Sequence, residues 1–97
     1  MTKKLVRDYY DRIIPTWQLE RSEPGLEFFY WLEEKLVEEM NECKDRYFKD
    51  VEEWADLVQV IYSMAQIHGF TVDEIEEARV EKHMRLGGFS KRLLLKP

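Results

Sequence analysis

The stretch "EEMNECKDRYFKDVEEWAD" at residues 38–56 decides the fold, because it holds the end of one helix, a short polar loop and the start of the next helix. Upstream, after a Pro–Gly turn, apolar residues recur with helical spacing over residues 26–43. Downstream, Asp50 is a candidate N-cap with Glu53 as its capping-box partner, and the helical pattern runs to the His–Gly pair at 68–69. So short a loop predicts two antiparallel, neighbouring helices.

A third helix follows, and a short one precedes the pair. Thr71 and Glu74 form a second capping signature, and a pair of glycines ends the pattern that they begin. The segment "KLVRDYYDRII" predicts a short N-terminal helix that Pro15 ends. We therefore predict one all-α domain over residues 1–97: an antiparallel bundle of three main helices plus a short N-terminal helix, completed by oligomerisation.

Composition supports a packed protein with a modest core. Of the 97 residues, 44% are hydrophobic and 13% are aromatic, which favours a globule over a disordered chain. A domain of this size buries only about two-thirds of its unfolded surface. Phe28, Tyr30 and Trp31 lie off the main apolar stripe of the first long helix, so we predict a homodimer or homotetramer that covers them.

Several classes of protein are disfavoured. Cys43 is the only cysteine, which excludes an internal disulfide, and no apolar leader opens the chain, so a cytoplasmic location is predicted. The longest apolar run, "FFYWL", is too short to span a membrane. A pI near 5.1 without a basic recognition helix argues against nucleic acid as a partner.

Acidic residues fall at or beside the apolar stripes of the helix pair. Projected at ~100° per residue, Glu39 lies ~20° beyond the apolar arc of the first helix and Glu42 a further ~60° round. On the second helix Glu53 projects into the apolar stripe and Asp56 lies at its edge. The predicted core positions are Phe29, Leu32, Leu36, Met40, Cys43, Leu57, Val60, Ile61, Met64 and Ile67.

Four carboxylates that face one another across a helix pair repel unless a multivalent cation lies among them. Hard oxygen ligands favour Mg²⁺, with Mn²⁺ as the alternative. A helical di-iron site is disfavoured, because neither histidine has a glutamate three positions before it. For Glu53 alone two structural explanations stay open: the capping box, or an ion pair with a basic side chain.

The third helix shows the same pattern with opposite charge. Arg79 lies inside its apolar arc and Lys82 lies ~20° beyond that arc, so both are predicted to point inward. There Arg79 could neutralise Glu39 or Glu53, or Arg79 and Lys82 could contact the phosphates of a substrate held by the metal. The sequence leaves both interpretations open.

The motifs together resemble a known family. "EEMNE" and "EEWAD" fit the pattern E-E-x-x-E … E-x-x-D of the all-α nucleoside triphosphate pyrophosphohydrolases, the MazG-like and phosphoribosyl-ATP pyrophosphohydrolase superfamily. The opening "KLVRD" and the closing "RLGGFSKRLLL" resemble the two ends of one subgroup. The segment "YYDRI" interrupts the subgroup's opening motif, and the spacing between the two acidic motifs is short for the family.

This resemblance implies an enzyme that uses Mg²⁺ to cleave a nucleoside triphosphate, or phosphoribosyl-ATP, between the α and β phosphates. Water attacks the α-phosphorus, and the products are the monophosphate and pyrophosphate. The metal ligands would be Glu39, Glu42, Glu53 and Asp56, and Glu38 would join Glu39 and Glu53 as a catalytic residue. A house-cleaning role on free nucleotides is favoured, and a non-catalytic helical oligomer that binds nucleotide or a partner protein is the alternative.

Residues outside the acidic motifs, all but one of them basic, are the expected substrate contacts. The opening motif and the closing motif supply most of them, and the third helix supplies the rest. The predicted substrate-binding residues are Lys4, Arg7, Asp8, Arg79, Lys82, Lys91 and Arg92.

Overall fold

The chain folds into helices joined by short turns. A computed structural model describes residues 3–97, and within that range it contains no strand. The three α-helices are α1 (Leu26–Asp45), α2 (Val51–Ile67) and α3 (Val72–Leu86), preceded by 3₁₀ helices at Asp8–Arg12 and Thr16–Gln18. The predicted all-α fold class is confirmed. The short N-terminal helix that was predicted to end at Pro15 is a 3₁₀ helix, Asp8–Arg12, and it ends before Pro15.

Helices α1 and α2 form an antiparallel hairpin that holds the core. The five-residue connection contains Tyr47 and Phe48 in the left-handed region, with φ of 56° and 59°, and the Phe48 N–H donates to the Cys43 carbonyl at 2.8 Å. At the start of α2 the Asp50 side chain accepts from the N–H of Glu52 at 3.0 Å. The predicted capping box between Asp50 and Glu53 is therefore wrong, and capping does not explain why Glu53 is acidic.

The hairpin buries a narrower stripe than the sequence predicts. Leu32 and Cys43 of α1 pack with Leu57 and Val60 of α2, and all four are buried. Burial also raises the pKa of the Cys43 thiol, as expected for an inert core cysteine. Two predicted core residues are exposed instead: Met40 by 46% and Ile61 by 45%. Two helices alone cover only the positions that face each other, so the edges of each apolar stripe remain in solvent.

Helix α3 is attached to the hairpin by few contacts. Thr71 and Glu74 form the predicted capping box, and Gly87, with φ of 81°, ends the helix as predicted. No residue of α3 is buried. Its main polar link to α2 is the Tyr62 hydroxyl, which donates to the Glu76 carboxylate at 2.6 Å. The sequence of α3 therefore defines where the helix begins and ends, but no residue of the helix is buried within a single chain.

The overall dimensions agree with an incomplete core. The chain extends over 52 × 32 × 28 Å with a radius of gyration of 16.7 Å. A compact domain of this length has a radius of gyration of about 12.5 Å. Among residues 3–97, no helix combines the length and apolar character needed to cross a membrane.

Candidate metal and substrate site

Three carboxylates converge where the end of α1 meets the start of α2. Glu39 lies near the C-terminal end of α1 and is only 7% exposed, while half-buried Glu53 and Asp56 lie in the first two turns of α2. One carboxylate oxygen from each residue lies within 4.8 Å of the other two. The short loop produces this arrangement, because it brings the two acidic motifs to the same end of the hairpin. The positive N-terminal end of α2 also favours negative charge there.

The other two predicted acids lie at the edge of this group. Glu42 is half-buried and close enough for its charge to act on Glu53, but it lies outside the group of three. Its position, further round α1 than Glu39, explains the difference. Glu38 is half-buried and pairs with lysines on the outer side of the group.

Of the three converging carboxylates, Glu53 is the one without a salt bridge to a basic side chain. None of the salt bridges within residues 3–97 involves it. Burial raises the pKa of Glu53, and the neighbouring charges of Asp56 and Glu42 raise it further. The ion-pair explanation for Glu53 therefore finds no support in the described chain, and neither does the capping-box explanation. A group whose ionisation is opposed by its surroundings is characteristic of a functional site.

Lys35 supports the group from one side. Its Nζ lies 3.2 Å from carboxylate oxygens of both Glu38 and Glu39, one turn further along α1. Burial opposes the positive charge of Lys35, but hydrogen bonds to Glu39 and Glu38 outweigh it and raise the pKa of Lys35. The sequence analysis missed this residue, although its position four residues before Glu39 places both on one helix face.

The N-terminal segment supports the group from the other side. The guanidinium of Arg7 donates to the Asp56 carboxylate, and Lys4 Nζ lies 3.4 Å from a Glu38 oxygen. Two of the predicted substrate-binding residues are thus at the acids. In this structure they neutralise carboxylates of the acidic group.

A cleft of about 510 Å³ adjoins the acids between the N-terminal segment and the hairpin. This volume is within the range of small-molecule sites, roughly 300–1,000 Å³. Arg7, Asp8, Glu39 and Asp56 lie on its wall, whereas Glu53 does not line the cleft and adjoins it only through its closeness to Glu39 and Asp56. The remaining lining is mostly apolar and comprises Leu5, Val6, Tyr9, Tyr10, Ile13, Phe28, Leu32, Lys35, Gln59, Val60 and Ser63.

Gln59 and Ser63 are polar residues of this cleft that the sequence analysis missed. They lie three and seven residues after Asp56 on α2, so a helical projection places them on the same face as that acid. Their helical spacing from Asp56 could have predicted this position, but neither residue is charged, so neither belongs to the acidic motifs. The Gln59 amide can hydrogen-bond a ligand in the cleft, as can the hydroxyls of Tyr9 and Tyr10, whereas the Ser63 hydroxyl already donates to the Gln59 carbonyl at 2.9 Å.

The cations of α3 and the C-terminal segment lie away from the cleft. The prediction that Arg79 points inward is wrong: its side chain is 61% exposed and its Nη2 lies 2.8 Å from Glu76 of the same helix. Lys82 is exposed as well, so its predicted inward direction is also wrong. Lys91 and Arg92 are exposed, and no residue of α3 or beyond lines the cleft. The prediction assumed that the hairpin covers the apolar face of α3, whereas no residue of α3 is buried.

The three-carboxylate group fits a divalent cation. Oxygens that bind one Mg²⁺ at about 2.0–2.1 Å lie roughly 3–4 Å apart. One oxygen from each of the three carboxylates lies within 4.8 Å of the other two, so the group could hold such an ion. The donors are all hard oxygens, and Arg7 and Lys35 supply the charge that a cation would otherwise provide.

Comparison of the chain with models of protein families, with characterised proteins and with solved structures finds no match. The family resemblance therefore stays a prediction that rests on the sequence motifs.

Proposed function

We propose that the protein is a Mg²⁺-dependent nucleotide pyrophosphohydrolase. The observation that carries this proposal is the convergence of Glu39, Glu53 and Asp56, from two helices, at the edge of a cleft of nucleotide size. Cleavage between the α and β phosphates, and a house-cleaning role in the cytoplasm, follow from the motif resemblance.

The acids would hold the cation and activate water. Glu39, Glu53 and Asp56 bind Mg²⁺, with Glu42 as a further ligand and Glu38 as an accessory acid. When bound, Mg²⁺ supplies positive charge to the phosphate oxygens. Glu53 would help to hold the cation, and its carboxylate would also accept the proton of the attacking water. Its lack of a basic partner leaves it free for both roles.

Arg7 and Lys4 would exchange partners during the cycle. Before substrate binds, they neutralise Asp56 and Glu38. With a divalent cation held by the acids, both side chains would be free to turn to the phosphates and to stabilise the charge that develops there. The apolar lining beside Gln59 and Ser63 would then hold the base.

A panel of nucleotides tests the proposal. Canonical and damaged nucleoside triphosphates and phosphoribosyl-ATP are incubated with the protein, with and without millimolar Mg²⁺, and pyrophosphate is detected. We expect release with at least one of them that requires the metal. We also expect Mg²⁺ alone to raise the melting temperature, because a ligand that binds only the folded state stabilises it.

A non-catalytic helical oligomer that binds nucleotide or a partner protein is the second candidate. The ion pairs of Lys4, Arg7 and Lys35 favour it, because they show that the acids can be neutralised without a metal. Unchanged thermal stability in Mg²⁺, together with no pyrophosphate from any nucleotide, would establish this candidate over the enzyme.

The proposal includes a homodimer or homotetramer. Of the three aromatic residues on which the prediction rests, Tyr30 is 51% exposed, whereas Phe28 and Trp31 are half-buried within the single chain. The apolar residues after α3 are exposed. Light scattering at micromolar concentration would contradict an oligomer if it gave a mass near the 11.8 kDa of one chain.

A further inference from the structure

The segment "YYDRI", residues 9–13, is the part of the N-terminal motif that the family resemblance does not explain. Its first four residues belong to the 3₁₀ helix Asp8–Arg12. Three of its five residues, Tyr9, Tyr10 and Ile13, line the cleft beside the acids. The segment that interrupts the motif therefore forms a wall of the candidate substrate site, and the proposed function has given this wall no specific role.

Backbone hydrogen bonds order this wall along the cleft. The Tyr10 N–H donates to the Arg7 carbonyl, and the Ile13 N–H donates to the Tyr10 carbonyl, each at 3.0 Å. Because these bonds join residues three apart, Arg7, Tyr10 and Ile13 lie on successive turns. Arg7 lies at the acids through its ion pair with Asp56. The apolar part of the wall therefore begins one turn beyond the cation that is expected to meet the phosphates.

Tyr9 presents an open aromatic surface in this wall. The guanidinium carbon of Arg12 lies over the Tyr9 ring, 4.0 Å from its centre, which is a cation–π contact. Although Arg12 covers one face of the ring, Tyr9 is still 66% exposed. Arg12 thus restrains the ring while most of the residue stays accessible to a ligand. A side chain that is restrained before binding loses less conformational entropy when the ligand arrives.

A flat heteroaromatic group is the ligand chemistry that this surface suits. Nucleic-acid bases stack on exposed aromatic side chains, and the contact tolerates different bases because every base has a π-face. Arg7 and the aromatic wall line the same cleft, so one nucleotide could place its phosphates at Arg7 and its base at Tyr9. The Gln59 amide lines the same cleft and could hydrogen-bond the edge of that base. A polyphosphate without a base has no group that this wall would hold.

We propose that Tyr9, restrained by Arg12, is the stacking platform for the base of the substrate and selects nucleotides over phosphates that lack a base. The position of the phosphates rests on the proposed function, but stacking requires only that a nucleotide binds, not that it is hydrolysed. Tyr9 is therefore a specificity-determining residue, and the segment at residues 9–13 provides this chain with its base site.

Two probes separate a contact with the base from a general effect on the site. The first is a set of α,β-methylene analogues of the canonical nucleoside triphosphates, which resist cleavage between the α and β phosphates. The second is inorganic tripolyphosphate, which has no base. In calorimetric titration with Mg²⁺, Tyr9→Ala should bind the analogue preferred by the wild type about five- to thirtyfold more weakly, with unchanged affinity for tripolyphosphate.

Two variants serve as controls for this titration. Tyr9→Phe keeps the ring and should bind the analogue about as tightly as the wild type. Tyr30→Ala is the matched control, because Tyr30 is also an exposed tyrosine but does not line the cleft, and it should bind both probes normally. Equal losses of Tyr9→Ala for the analogue and for tripolyphosphate would overturn the proposal, because Tyr9 would then support the whole site.

The failure of this proposal can be distinguished from the failure of the proposed function. A wild-type protein that binds nucleoside triphosphates through Tyr9 but releases no pyrophosphate would reject the hydrolysis and keep the platform. Pyrophosphate release by a protein whose Tyr9→Ala variant binds the analogue as tightly as the wild type would keep the hydrolysis and overturn the platform. A wild-type protein that binds none of the analogues would overturn both.

Tyr9→Trp gives an optical reading of the same contact. A base that stacks on an indole ring quenches its fluorescence, and none of the three natural tryptophans lines the cleft. We therefore expect a saturating analogue to quench Tyr9→Trp more strongly than the wild type, whereas tripolyphosphate should quench neither protein. Equal quenching of the two proteins by the analogue would overturn the proposal.

Discussion

Arg7 and Asp56 lie 49 residues apart in the sequence, and the guanidinium of the first donates to the carboxylate of the second. This ion pair fastens the N-terminal segment to the start of α2. It also places a positive charge on one of the three carboxylates that could bind a metal. A cation and Arg7 therefore compete for Asp56.

Removing Arg7 should tighten the binding of Mg²⁺. An exposed ion pair contributes about 0.5–1 kcal/mol, so Arg7→Gln is expected to raise the Mg²⁺ affinity about two- to fivefold in calorimetric titration. The same change should slow turnover, because the phosphates lose a cation. Lys3→Gln is the control, since Lys3 pairs with Glu20 outside the site and should leave the affinity unchanged. Weaker Mg²⁺ binding by Arg7→Gln would mean that Arg7 does not oppose the metal.

Removing the Tyr62 hydroxyl should loosen α3. This hydroxyl donates to Glu76, which also accepts from Arg79 Nε at 2.9 Å, and these bonds lower the pKa of Glu76. In Tyr62→Phe we expect faster hydrogen exchange of the α3 amides, with α1 and α2 unchanged, because local opening depends on such links. Exposed Tyr30→Phe should have no effect. Unchanged exchange in α3 would show that another contact holds the helix.

The hairpin and its acids could be predicted from the sequence because both depend on local rules. A short loop makes helices antiparallel, and helical projection then places Glu39, Glu53 and Asp56 on the shared face. The opening motif predicted Arg7 as a substrate contact, but its ion pair with Asp56 could not be predicted, because the N-terminal segment has no long periodic pattern that reports what it contacts. The prediction that Arg79 points inward was wrong for a related reason. An amphipathic pattern shows that a helix has an apolar face, but it does not show what covers that face.

The stability of the metal-free protein should depend on pH through the Glu53 carboxyl group. Because burial and neighbouring carboxylates raise its pKa above the usual 4.5, the folded state holds this proton more tightly than the unfolded chain does. The contribution of the protonated Glu53 carboxyl group to the free energy of unfolding is fully present below about pH 4.5, and it is lost as the pH rises through the raised pKa of Glu53. The melting temperature of Glu53→Gln relative to wild type should therefore increase between about pH 4 and pH 7. A difference that does not change with pH would argue against close packing of the carboxylates.

The central claim is that Glu53 is needed for a metal-dependent reaction and is not needed for the stability of the fold. Two measurements on the Glu53→Gln variant test this claim. We expect pyrophosphate release to fall at least ~100-fold, because a preorganised charge at the reacting phosphate is lost. We expect the metal-free melting temperature to hold or rise, because one of several mutually repelling carboxylates is gone. Glu52→Gln, at the exposed neighbouring position, should change neither reading. A Glu53→Gln protein that melts lower without metal yet keeps near-normal turnover would contradict the account.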